Sequence, residues 1–392
     1  MNIMSIRVLI VQPVLAPYSI PRYQALAESG ALEVHVALEA ESFVERPGWI
    51  PKTIPKCHIH LLNSYIKTKT IEAKDKGFKE TLTKAIPYGL PGTIRKVKPD
   101  VVIVRNPTEF VFALIAGTTG DFLLGLLLED TMVSEQRKRA FVKWLRKRLY
   151  KFADFVFCFS KDAETYARDI GITGELLRSS WSISPEWISS TSDEGDCRQV
   201  QAGAEPQAPV QFLYVGAFSE RKGVMPLLRA WRKFSERKTG VKLVMLGDGP
   251  LREQMEKYCA EQSITNVTMP GHLAYDDTKQ VYLSSDVFVF PTLEDIFGLV
   301  VTEAMAFGLP ILTTIYTGAR ELVREGENGY IFDPLDDQAI VNALEKIVSR
   351  GSDLNRMGQV SRKIISAYTH QKVMHRMERD ICREYEKRSR KR

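Results

Sequence analysis

DVFVFPTLEDIFGLVVTEAMAFGLP, residues 286–310, is the stretch that decides the interpretation of the fold. Residues 286–290 form a run of β-branched and aromatic side chains, which is typical of a buried strand. Residues 299–307 have helical character, and Gly308 supplies a stop signal directly after them. The stretch therefore predicts a strand, a short acidic loop and a helix, which together are the repeating unit of a parallel α/β sheet.

The start of this predicted helix has the properties of an anion-binding site. The backbone N–H groups of Phe297, Gly298 and Leu299 lack partners within the helix, and the helix dipole adds partial positive charge there. Two carboxylates, Asp295 and Glu303, lie eight positions apart on either side of the helix start. Alternatively, Asp295 only caps the helix and Glu303 lies on a solvated face.

Length and composition indicate an ordinary globular chain of two domains. The chain has 392 residues, of which 44% are hydrophobic and 26% charged, and this composition excludes collagenous, fibrous and wholly disordered classes. The five cysteines are scattered without close pairs, which favours a reducing cytosol over a disulfide framework or a zinc knuckle. No apolar run approaches the roughly 18 residues of a membrane span, and the opening residues are typical of a strand rather than a signal peptide. We therefore expect a cytoplasmic protein.

Strand-length apolar runs alternate with helical patterns in both halves of the chain, which predicts two doubly wound α/β domains. Near-continuous apolar strands indicate parallel sheets that are covered on both faces. In the first half the predicted strands are residues 7–11, 34–38, 101–104, 122–128 and 155–159. In the second half they are residues 211–215, 243–246, 287–290, 311–313 and 330–332.

A weakly apolar segment separates the two predicted domains. Residues 189–209 lack large apolar side chains and are interpreted as an exposed linker or flexible insertion. This boundary gives an N-terminal domain of residues 1–188 and a C-terminal domain of residues 210–361. The polar, helix-favouring residues 362–392 have no partner strand of their own.

The stretch at residues 286–310 resembles the signature of the retaining, nucleotide-sugar-dependent glycosyltransferases of GT-B fold (glycosyltransferase family 4, group 1 type). That family has two glutamates eight positions apart, and Asp295 and Glu303 stand at these positions here. The resemblance implies two Rossmann-like domains that face each other across a cleft, with a C-terminal helix that returns to the first domain. It also implies that the first carboxylate lies beside the transferred sugar and the second on the nucleotide ribose. The neighbouring residues predicted to bind the donor are Glu294, Ile296, Phe297, Gly298 and Leu299.

The segment GAFSERKGV, residues 216–224, is predicted to hold the donor's diphosphate. Gly216 ends a strand, and Arg221 and Lys222 offer a forked donor and a point charge to phosphate. Lys222 matches the family's phosphate-binding lysine, whereas Ala217 stands where the family has an arginine. Either Arg221 substitutes for that arginine, or the leaving group is less well neutralised than in most relatives.

Two further loops resemble parts of the family's donor site. Gly247 begins the turn GDGP, and in the family this turn and a loop corresponding to Gly271, His272 and Leu273 enclose the nucleotide base. Alternatively, the turn is only a helix entry and His272 is a surface histidine without a ligand. Residues 316–320 resemble a third turn near the donor.

The first domain is predicted to receive the acceptor, at the carboxyl ends of its strands. Tyr18 and Arg22 lie in a proline-rich segment after the first strand and either shape an acceptor pocket or pack the helix entry. Arg105 follows a later strand and is a candidate for contact with acceptor or donor phosphate. Many relatives use a first-domain histidine or aspartate near the sugar. Since no histidine occurs in the matching region, Asp130 is the predicted catalytic residue and Glu129 the alternative.

The predicted reaction separates a developing sugar cation from a departing diphosphate. Arg221, Lys222 and the helix start at Gly298 would stabilise the diphosphate electrostatically. The chain has no clustered aspartate-x-aspartate motif, so we expect cationic side chains in place of a metal, and no cofactor beyond the nucleotide-sugar co-substrate. The resemblance implies retention of anomeric configuration. Whether a carboxylate attacks the sugar or orients hydroxyls stays open, and we prefer an orienting role for Asp130 or Asp295.

Residues 134–151 carry eight Lys or Arg against one Glu, and Phe141, Trp144, Leu145 and Leu149 recur near helical spacing. A basic amphipathic helix of this kind can lie on anionic lipid, where each cation contributes about 1 kcal/mol. Alternatively, its apolar stripe packs on the sheet and its cations are solvated. Nucleic acid is a poorer candidate partner because no nucleic-acid-binding motif accompanies the charges.

We therefore expect a cytoplasmic glycosyltransferase that is peripheral on the inner face of the cytoplasmic membrane. It would transfer a sugar from a nucleotide diphosphate sugar to a hydroxyl of a lipid-linked or polysaccharide acceptor, in cell-envelope or exopolysaccharide synthesis. Two alternatives stay open. A noncatalytic sugar-nucleotide-binding protein would bind the donor without turnover, and a nucleotide-sugar epimerase of the same fold would act without an acceptor.

Overall fold

The chain divides into two compact units in a computed structural model that describes residues 5–43, 53–73, 76–130, 135, 138–184, 187–188, 209–273 and 275–390. The first unit comprises Met1–Ile71, Glu80–Ser182 and Thr369–Arg392. The second comprises Glu72–Lys79 and Ile183–Tyr368. The large sheet of each unit is parallel throughout.

The first unit is built on a seven-stranded sheet. Its strands are β1 (Ile6–Gln12), β2 (Leu32–Leu38), β3 (Cys57–Leu61), β6 (Val101–Val104), β7 (Leu123–Leu128), β8 (Phe155–Cys158) and β9 (Glu175–Arg178), while β4 (Tyr65–Ala73) and β5 (Phe78–Ile86) form a separate two-stranded sheet. The order in the large sheet is β3-β2-β1-β6-β7-β8-β9. The strand order therefore reverses beside β1, and in open α/β sheets this is the position at which ligands bind.

Helices cover the sheet of the first unit. They are α1 (Ile20–Ala27), α2 (Leu90–Val97), α3 (Pro107–Gly117), α4 (Ala140–Leu149) and α5 (Lys161–Asp169). The start of α3 follows from the sequence, because the side chain of Asn106 accepts from the N–H groups of Thr108 at 3.0 Å and Glu109 at 3.1 Å. Pro107 occupies the first helical position, where no N–H partner is needed.

The second unit is built on a six-stranded sheet with the order β12-β11-β10-β13-β14-β15. Its strands are β10 (Val210–Val215), β11 (Val241–Leu246), β12 (Val267–Gly271), β13 (Val287–Phe290), β14 (Ile311–Thr314) and β15 (Gly329–Phe332). Its helices are α6 (Val224–Ser235), α7 (Arg252–Glu261), α8 (Tyr275–Leu283), α9 (Leu299–Ala306), α10 (Asp337–Val348) and α11 (Asp353–Ile365). The central strand β10 lies between β11 and β13, so the loops after these three strands are neighbours.

The final helix, α12 (His370–Ser389), belongs to the first unit and packs on α1. Thr369 caps its start by accepting from the N–H of Lys372 at 3.4 Å. Its buried face includes Met374, Met377 and Ile381. The chain thus contributes its last helix to the unit that its first strand begins.

The segment Glu72–Lys79, which includes the end of β4 and the start of β5, groups with the second unit rather than with the first. Ala73 and Phe78 are buried in a small apolar cluster with Leu293. This grouping is absent from the sequence-based division, which places the segment within residues 1–188. The structure also begins the second unit at Ile183 and ends it at Tyr368.

The predicted fold class, two doubly wound α/β domains, is confirmed by the two sheets. The strands that the sequence missed include β3 and β12, which lie at sheet edges. Every residue of β3, and every residue of β12 except Gly271, is half-buried or exposed, so neither strand shows the continuous buried apolar run of a central strand. Most of the predicted linker, residues 189–208, lies outside the described residues.

Candidate active site

Three predicted donor-binding glycines lie together at the carboxyl edge of the second unit's sheet. The N–H of Gly216 donates to the carbonyl of Leu246 at 3.0 Å, and the N–H of Gly247 donates to the carbonyl of Gly271 at 3.1 Å. A Cβ on Gly247 would lie 2.0 Å from the carbonyl oxygen of Gly216, so this turn admits only glycine. The loops after β10, β11 and β12 therefore form one continuous backbone surface.

The basic loop after β10 ends in the short 3₁₀ turn Glu220–Lys222, followed by Gly223. Gly223 has a φ of 67° and is the N-cap of α6. An added Cβ would lie 2.0 Å from the carbonyl oxygen of Pro291. Glycine is required here both by the left-handed backbone and by the close approach of the two loops.

Asp295 is surrounded by the two cations of this loop. Its Oδ2 accepts a hydrogen bond from the ammonium of Lys222, and the Nη1 of Arg221 lies 3.8 Å from the same oxygen. Its Oδ1 accepts from the N–H of Phe297 at 3.2 Å. Burial alone would raise the pKa of Asp295, but the charges of Lys222 and Arg221 outweigh it and lower the pKa below the usual value. Asp295 is therefore an ionised residue that positions both cations.

The start of α9 is left open by Gly298, which has a φ of 86° and provides no capping side chain. A Cβ here would lie 2.9 Å from both the Phe290 ring and the Thr317 hydroxyl. That hydroxyl donates to the carbonyl of Phe297 at 2.6 Å, which holds residues 316–320 against the loop. The N–H groups of the first turn thus have no side-chain acceptor from the cap position, as an anion site requires.

Glu303 lies within α9 and accepts a hydrogen bond from the hydroxyl of Tyr282 at 3.0 Å. Burial raises the pKa of Glu303. The Tyr282 ring is fully buried and stacks on Phe307 with centroids 5.1 Å apart, so it fixes the position of the carboxylate. Glu303 is half-buried and hydrogen-bonded, which argues against the alternative that it lies on a solvated face.

Glu294 has a partner that sequence analysis missed. Lys76, from the segment Glu72–Lys79, is buried, with its ammonium 3.8 Å from the Oε2 of Glu294 and 4.0 Å from the centroid of the Tyr316 ring. Lys76 lies far from the donor motifs in the sequence, so no sequence pattern could have predicted that it lies next to Glu294. The loop that carries Glu294 and Asp295 therefore lies against three cations from other segments, which are Lys76, Arg221 and Lys222.

The remaining predicted donor residues differ in exposure. His272 is exposed and Leu273 half-buried, so both remain accessible at the end of β12. Ile296 is exposed, Leu299 is half-buried and the side chain of Phe297 is buried. The N–H of Phe297 already donates to Asp295 and its carbonyl accepts from Thr317, so the prediction that this N–H binds an anion is wrong in this structure, and Gly298 and Leu299 remain as the predicted backbone donors.

The four predicted acceptor residues of the first unit line one cavity of about 260 Å³. They are Tyr18, Arg22, Arg105 and Glu129. Aromatic and apolar side chains form much of the remaining wall, including Phe159, Trp181, Met374 and Met377. Neither Trp181 nor the two methionines of α12 belongs to a recognisable motif, so only the fold could bring them to this cavity.

Two arginines of this cavity are held differently. Arg105 donates through Nη2 to Glu129 at 2.7 Å and through Nη1 to Gln12 at 3.1 Å. The guanidinium of Arg22 instead lies over the Trp181 ring, 4.9 Å from its centroid. Burial lowers the pKa of Arg22. With a single carboxylate for two arginines, these three side chains carry a net positive charge.

Asp130 is not among the residues that line this cavity, and its role as the first-domain catalytic residue stays a prediction. Its Oδ2 lies 2.9 Å from the Nη1 of the buried Arg146, and its Oδ1 lies 3.8 Å from Lys138. Glu135 pairs with the same Arg146 nitrogen at 2.9 Å. The carboxylate therefore neutralises a buried guanidinium, while the alternative, Glu129, lies in the cavity.

Residues 140–149 of the predicted basic helix, residues 134–151, form α4, whereas residues 134, 136 and 137 lie outside the described residues. The aromatic residues of α4 do not pack into the core. Phe141 is 67% exposed and Trp144 is 53% exposed, with ring centroids 6.0 Å apart. Leu145 and Leu149 are half-buried, and Arg146 points inward. No helix among the described residues combines the length and apolarity that spanning a membrane requires.

Residues 198–364 match the model of the family described as glycosyl transferases group 1. The sulfoquinovosyl transferase SQD2 of Arabidopsis thaliana is 24% identical over 303 residues, covering 74% of this chain and 58% of that protein. The lipopolysaccharide core biosynthesis glycosyltransferase LpsE of Rhizobium meliloti is 33% identical over 169 residues, covering 41% of this chain and 48% of that protein. The chain thus spans less than two thirds of either relative.

Solved structures show the same fold at low sequence identity. The sucrose-phosphate synthase from Thermosynechococcus elongatus has a TM-score of 0.71 and 17% identity, covering 96% of this chain and 98% of its own. The Anabaena protein Alr3699/HepE in complex with UDP has a TM-score of 0.69 and 17% identity, and the match covers 97% of this chain and 100% of the Anabaena chain. The fold is GT-B, with two Rossmann-like α/β domains.

Proposed function

We propose that this protein is a retaining glycosyltransferase that uses a nucleotide diphosphate sugar. The observation that carries the proposal is the pair Arg221 and Lys222, held by Asp295 next to the open start of α9, in the part of the chain that matches the family model. Two cations and a set of helix N–H groups in one loop cluster suit a departing diphosphate.

In this proposal each group of the second unit has a defined task. Arg221, Lys222 and the first turn of α9 stabilise the negative charge that grows on the diphosphate as the sugar leaves. Glu303, fixed by Tyr282, accepts hydrogen bonds from the ribose hydroxyls. Asp295 keeps the cations in place and orients hydroxyls of the sugar. Since these cations belong to the chain itself, we propose that transfer proceeds without a metal ion.

The acceptor is proposed to bind in the cavity of the first unit. Trp181 and Phe159 offer flat apolar surfaces of the kind that pack against a sugar ring or a lipid. Arg105 and Glu129 offer polar groups to hydroxyls. We propose Glu129, in place of Asp130, as the carboxylate that contacts the acceptor. A lipid-linked or polysaccharide acceptor fits this mixture of surfaces.

Peripheral membrane contact is proposed for α4. The exposed rings of Phe141 and Trp144 lie on the same short helix as Lys147 and Arg148, which are also exposed. Exposed aromatic side chains next to cations are suited to the interface of an anionic membrane. The proposed location is the inner face of the cytoplasmic membrane, in cell-envelope or exopolysaccharide glycan synthesis.

The test begins with calorimetric titration of the purified chain with UDP, GDP and ADP, followed by incubation of the corresponding sugar donors with membrane lipid extract from the source cells. The proposal expects one nucleotide to bind selectively and a glycosylated product whose anomeric configuration, read by NMR, equals that of the donor. Addition of a chelator should leave product formation unchanged. Selective binding without any product would support a noncatalytic protein, and conversion of the donor sugar without an acceptor would support an epimerase.

A further inference from the structure

Three of the chain's six histidines lie on one face of the first unit's sheet, on the neighbouring strands β2 and β3. The parallel register pairs His35 with His58 and places His60 one pleat further along β3. Side chains two residues apart on a strand share a face, so Glu33 on β2 joins the same cluster. His35 is buried, Glu33 half-buried and His58 exposed, which leaves the cluster open to solvent on one side.

The ligand atoms of this cluster converge on a single oxygen. The Oε1 of Glu33 lies 2.9 Å from the Nε2 of His35 and 3.9 Å from the Nε2 of His58. One ligand atom from each of the three residues falls within a 4.8 Å span. Zinc bonds of about 2.0–2.2 Å in tetrahedral geometry separate ligand atoms by roughly 3.4 Å. The observed separations of 2.9 and 3.9 Å bracket this value. The rings of His35 and His58 stack with centroids 4.6 Å apart, so the exposed His58 ring must turn for both nitrogens to face one ion.

Neighbouring groups hold two of these ligands in the orientation that a metal site needs. The Nδ1 of His35 lies 2.9 Å from the Nε2 of His60, so His60 can accept its proton and leave the Nε2 of His35 free to coordinate. The Nε of Arg7 donates to the other carboxylate oxygen of Glu33 at 3.3 Å, which aims Oε1 at the histidines. Such outer partners are typical of metal sites, where they fix the tautomer and the ligand orientation.

We propose that Glu33, His35 and His58 bind one divalent transition-metal ion, for which Zn²⁺ is the preferred chemical class. Two neutral imidazoles and one carboxylate match zinc, cobalt, nickel or copper better than the oxygen-seeking magnesium or calcium. Water would complete the coordination. The positive charge of the Arg7 guanidinium repels the metal ion, so we expect binding to be weaker than at a thiolate site.

This site is independent of the proposed transfer chemistry, because it uses no residue of the donor loops or of the acceptor cavity. Its physical effect would be on stability. Among the described strands, the edge strand β3 pairs with β2 alone, and an ion bound by residues of both strands adds a crosslink present in the folded state alone.

The experiment uses the full chain after chelator dialysis, titrated with Co²⁺ while the visible d–d absorption is recorded, and with Zn²⁺ by calorimetry. The expected result is one saturable site in the native chain and at least tenfold weaker binding in His58→Ala and Glu33→Gln. Zn²⁺ should also raise the melting temperature of the native chain but not of either variant. His375→Ala, an exposed histidine on α12, serves as the matched control and should bind like the native chain.

Two outcomes overturn the proposal. One is the absence of saturable binding in the native chain, which would leave the cluster as a hydrogen-bonded group of imidazoles. The other is binding of equal strength in His58→Ala, which would assign the ion to different residues such as the cysteines. His58 is 59% exposed at its side chain, so its replacement should not prevent folding. Circular dichroism of each variant checks this point.

Discussion

Lys222 donates a hydrogen bond to Asp295, although the two residues lie 73 positions apart. The pair forms because β10 and β13 are adjacent strands, which makes the loops that follow them neighbours. The ionised carboxylate is occupied by Lys222, Arg221 and a backbone N–H, so it is engaged on both oxygens. This arrangement favours a positioning role for Asp295 over attack on the sugar.

Replacement of Lys222 by alanine tests the diphosphate site. We expect Lys222→Ala to weaken binding of the preferred nucleoside diphosphate by about tenfold or more, because a charged hydrogen bond contributes about 1.5–3 kcal/mol. The measurement is calorimetric titration with the nucleotide. Lys238→Ala removes an exposed lysine of the same unit and should leave affinity unchanged. Equal affinity in Lys222→Ala and the native chain would show that the diphosphate binds elsewhere.

Replacement of Asp130 by asparagine tests whether this residue supports the fold or the reaction. Since Asp130 neutralises the buried Arg146, we expect Asp130→Asn to lower the free energy of unfolding by about 1–3 kcal/mol. Chemical denaturation measures this change, with Asp169→Asn at an exposed position as the control. The transfer rate per folded molecule should stay native in Asp130→Asn and fall in Glu129→Gln. The reverse pattern would restore Asp130 as the catalytic residue.

The sequence predicted the central strands well because their physical signal is local. Val101–Val104 is fully buried and apolar at every position, so its pattern could be recognised without knowledge of its neighbours. Edge strand β3 alternates histidines with apolar residues, and its role appears only when the register places His58 beside His35. Helix α9 and the loop before it were recognisable from glycine and stop signals alone.

The candidate site could be predicted only where its residues share a motif. Lys222 and Asp295 each lie in a recognisable loop, but their ion pair depends on strand order. Lys76 and Trp181 lie outside every motif, and tertiary structure alone places them next to Glu294 and Arg22. Likewise, the sequence could not show that Asp130 pairs with the buried Arg146 while Glu129 lines the cavity, because both facts depend on tertiary structure. Glu129 and Asp130 both lie in the loop after β7, and the sequence did not reveal which of the two side chains reaches the cavity.

Lipid binding by α4 depends on its exposed aromatic side chains. We expect the double variant Phe141→Ser, Trp144→Ser to bind vesicles of phosphatidylglycerol and phosphatidylcholine at least tenfold more weakly than the native chain, because burial of these rings in the lipid interface is lost. Vesicle sedimentation measures the effect. Tyr65→Ser, Tyr88→Ser removes two other exposed rings of the first unit and is the control. Added salt should weaken native binding, since the cations contribute through screened attraction. Salt-independent binding that is equal in all variants would exclude α4 as the contact.

A pH dependence of stability is expected from Glu39, which is buried beside Glu109. Burial raises the pKa of Glu39 to about 7. The folded chain therefore holds this proton more tightly than the unfolded chain, and the free energy of unfolding falls as pH rises from about 4.5 to about 7. His370 contributes with the opposite sign, because burial lowers its pKa to about 4.

Comparison of Glu39→Gln with the native chain removes the contribution of His370, because both retain it, and reports on Glu39 together with its interacting neighbour Glu109. We expect the unfolding free energy of Glu39→Gln to rise relative to the native value by about 1–3 kcal/mol between pH 5 and pH 8, since one pKa unit corresponds to about 1.4 kcal/mol. Chemical denaturation at a series of pH values measures the difference. Glu41→Gln, at a nearby exposed position, should follow the native curve throughout. A difference between Glu39→Gln and the native chain that stays constant with pH would mean that Glu39 is ionised in the folded protein, with its charge balanced by Arg105.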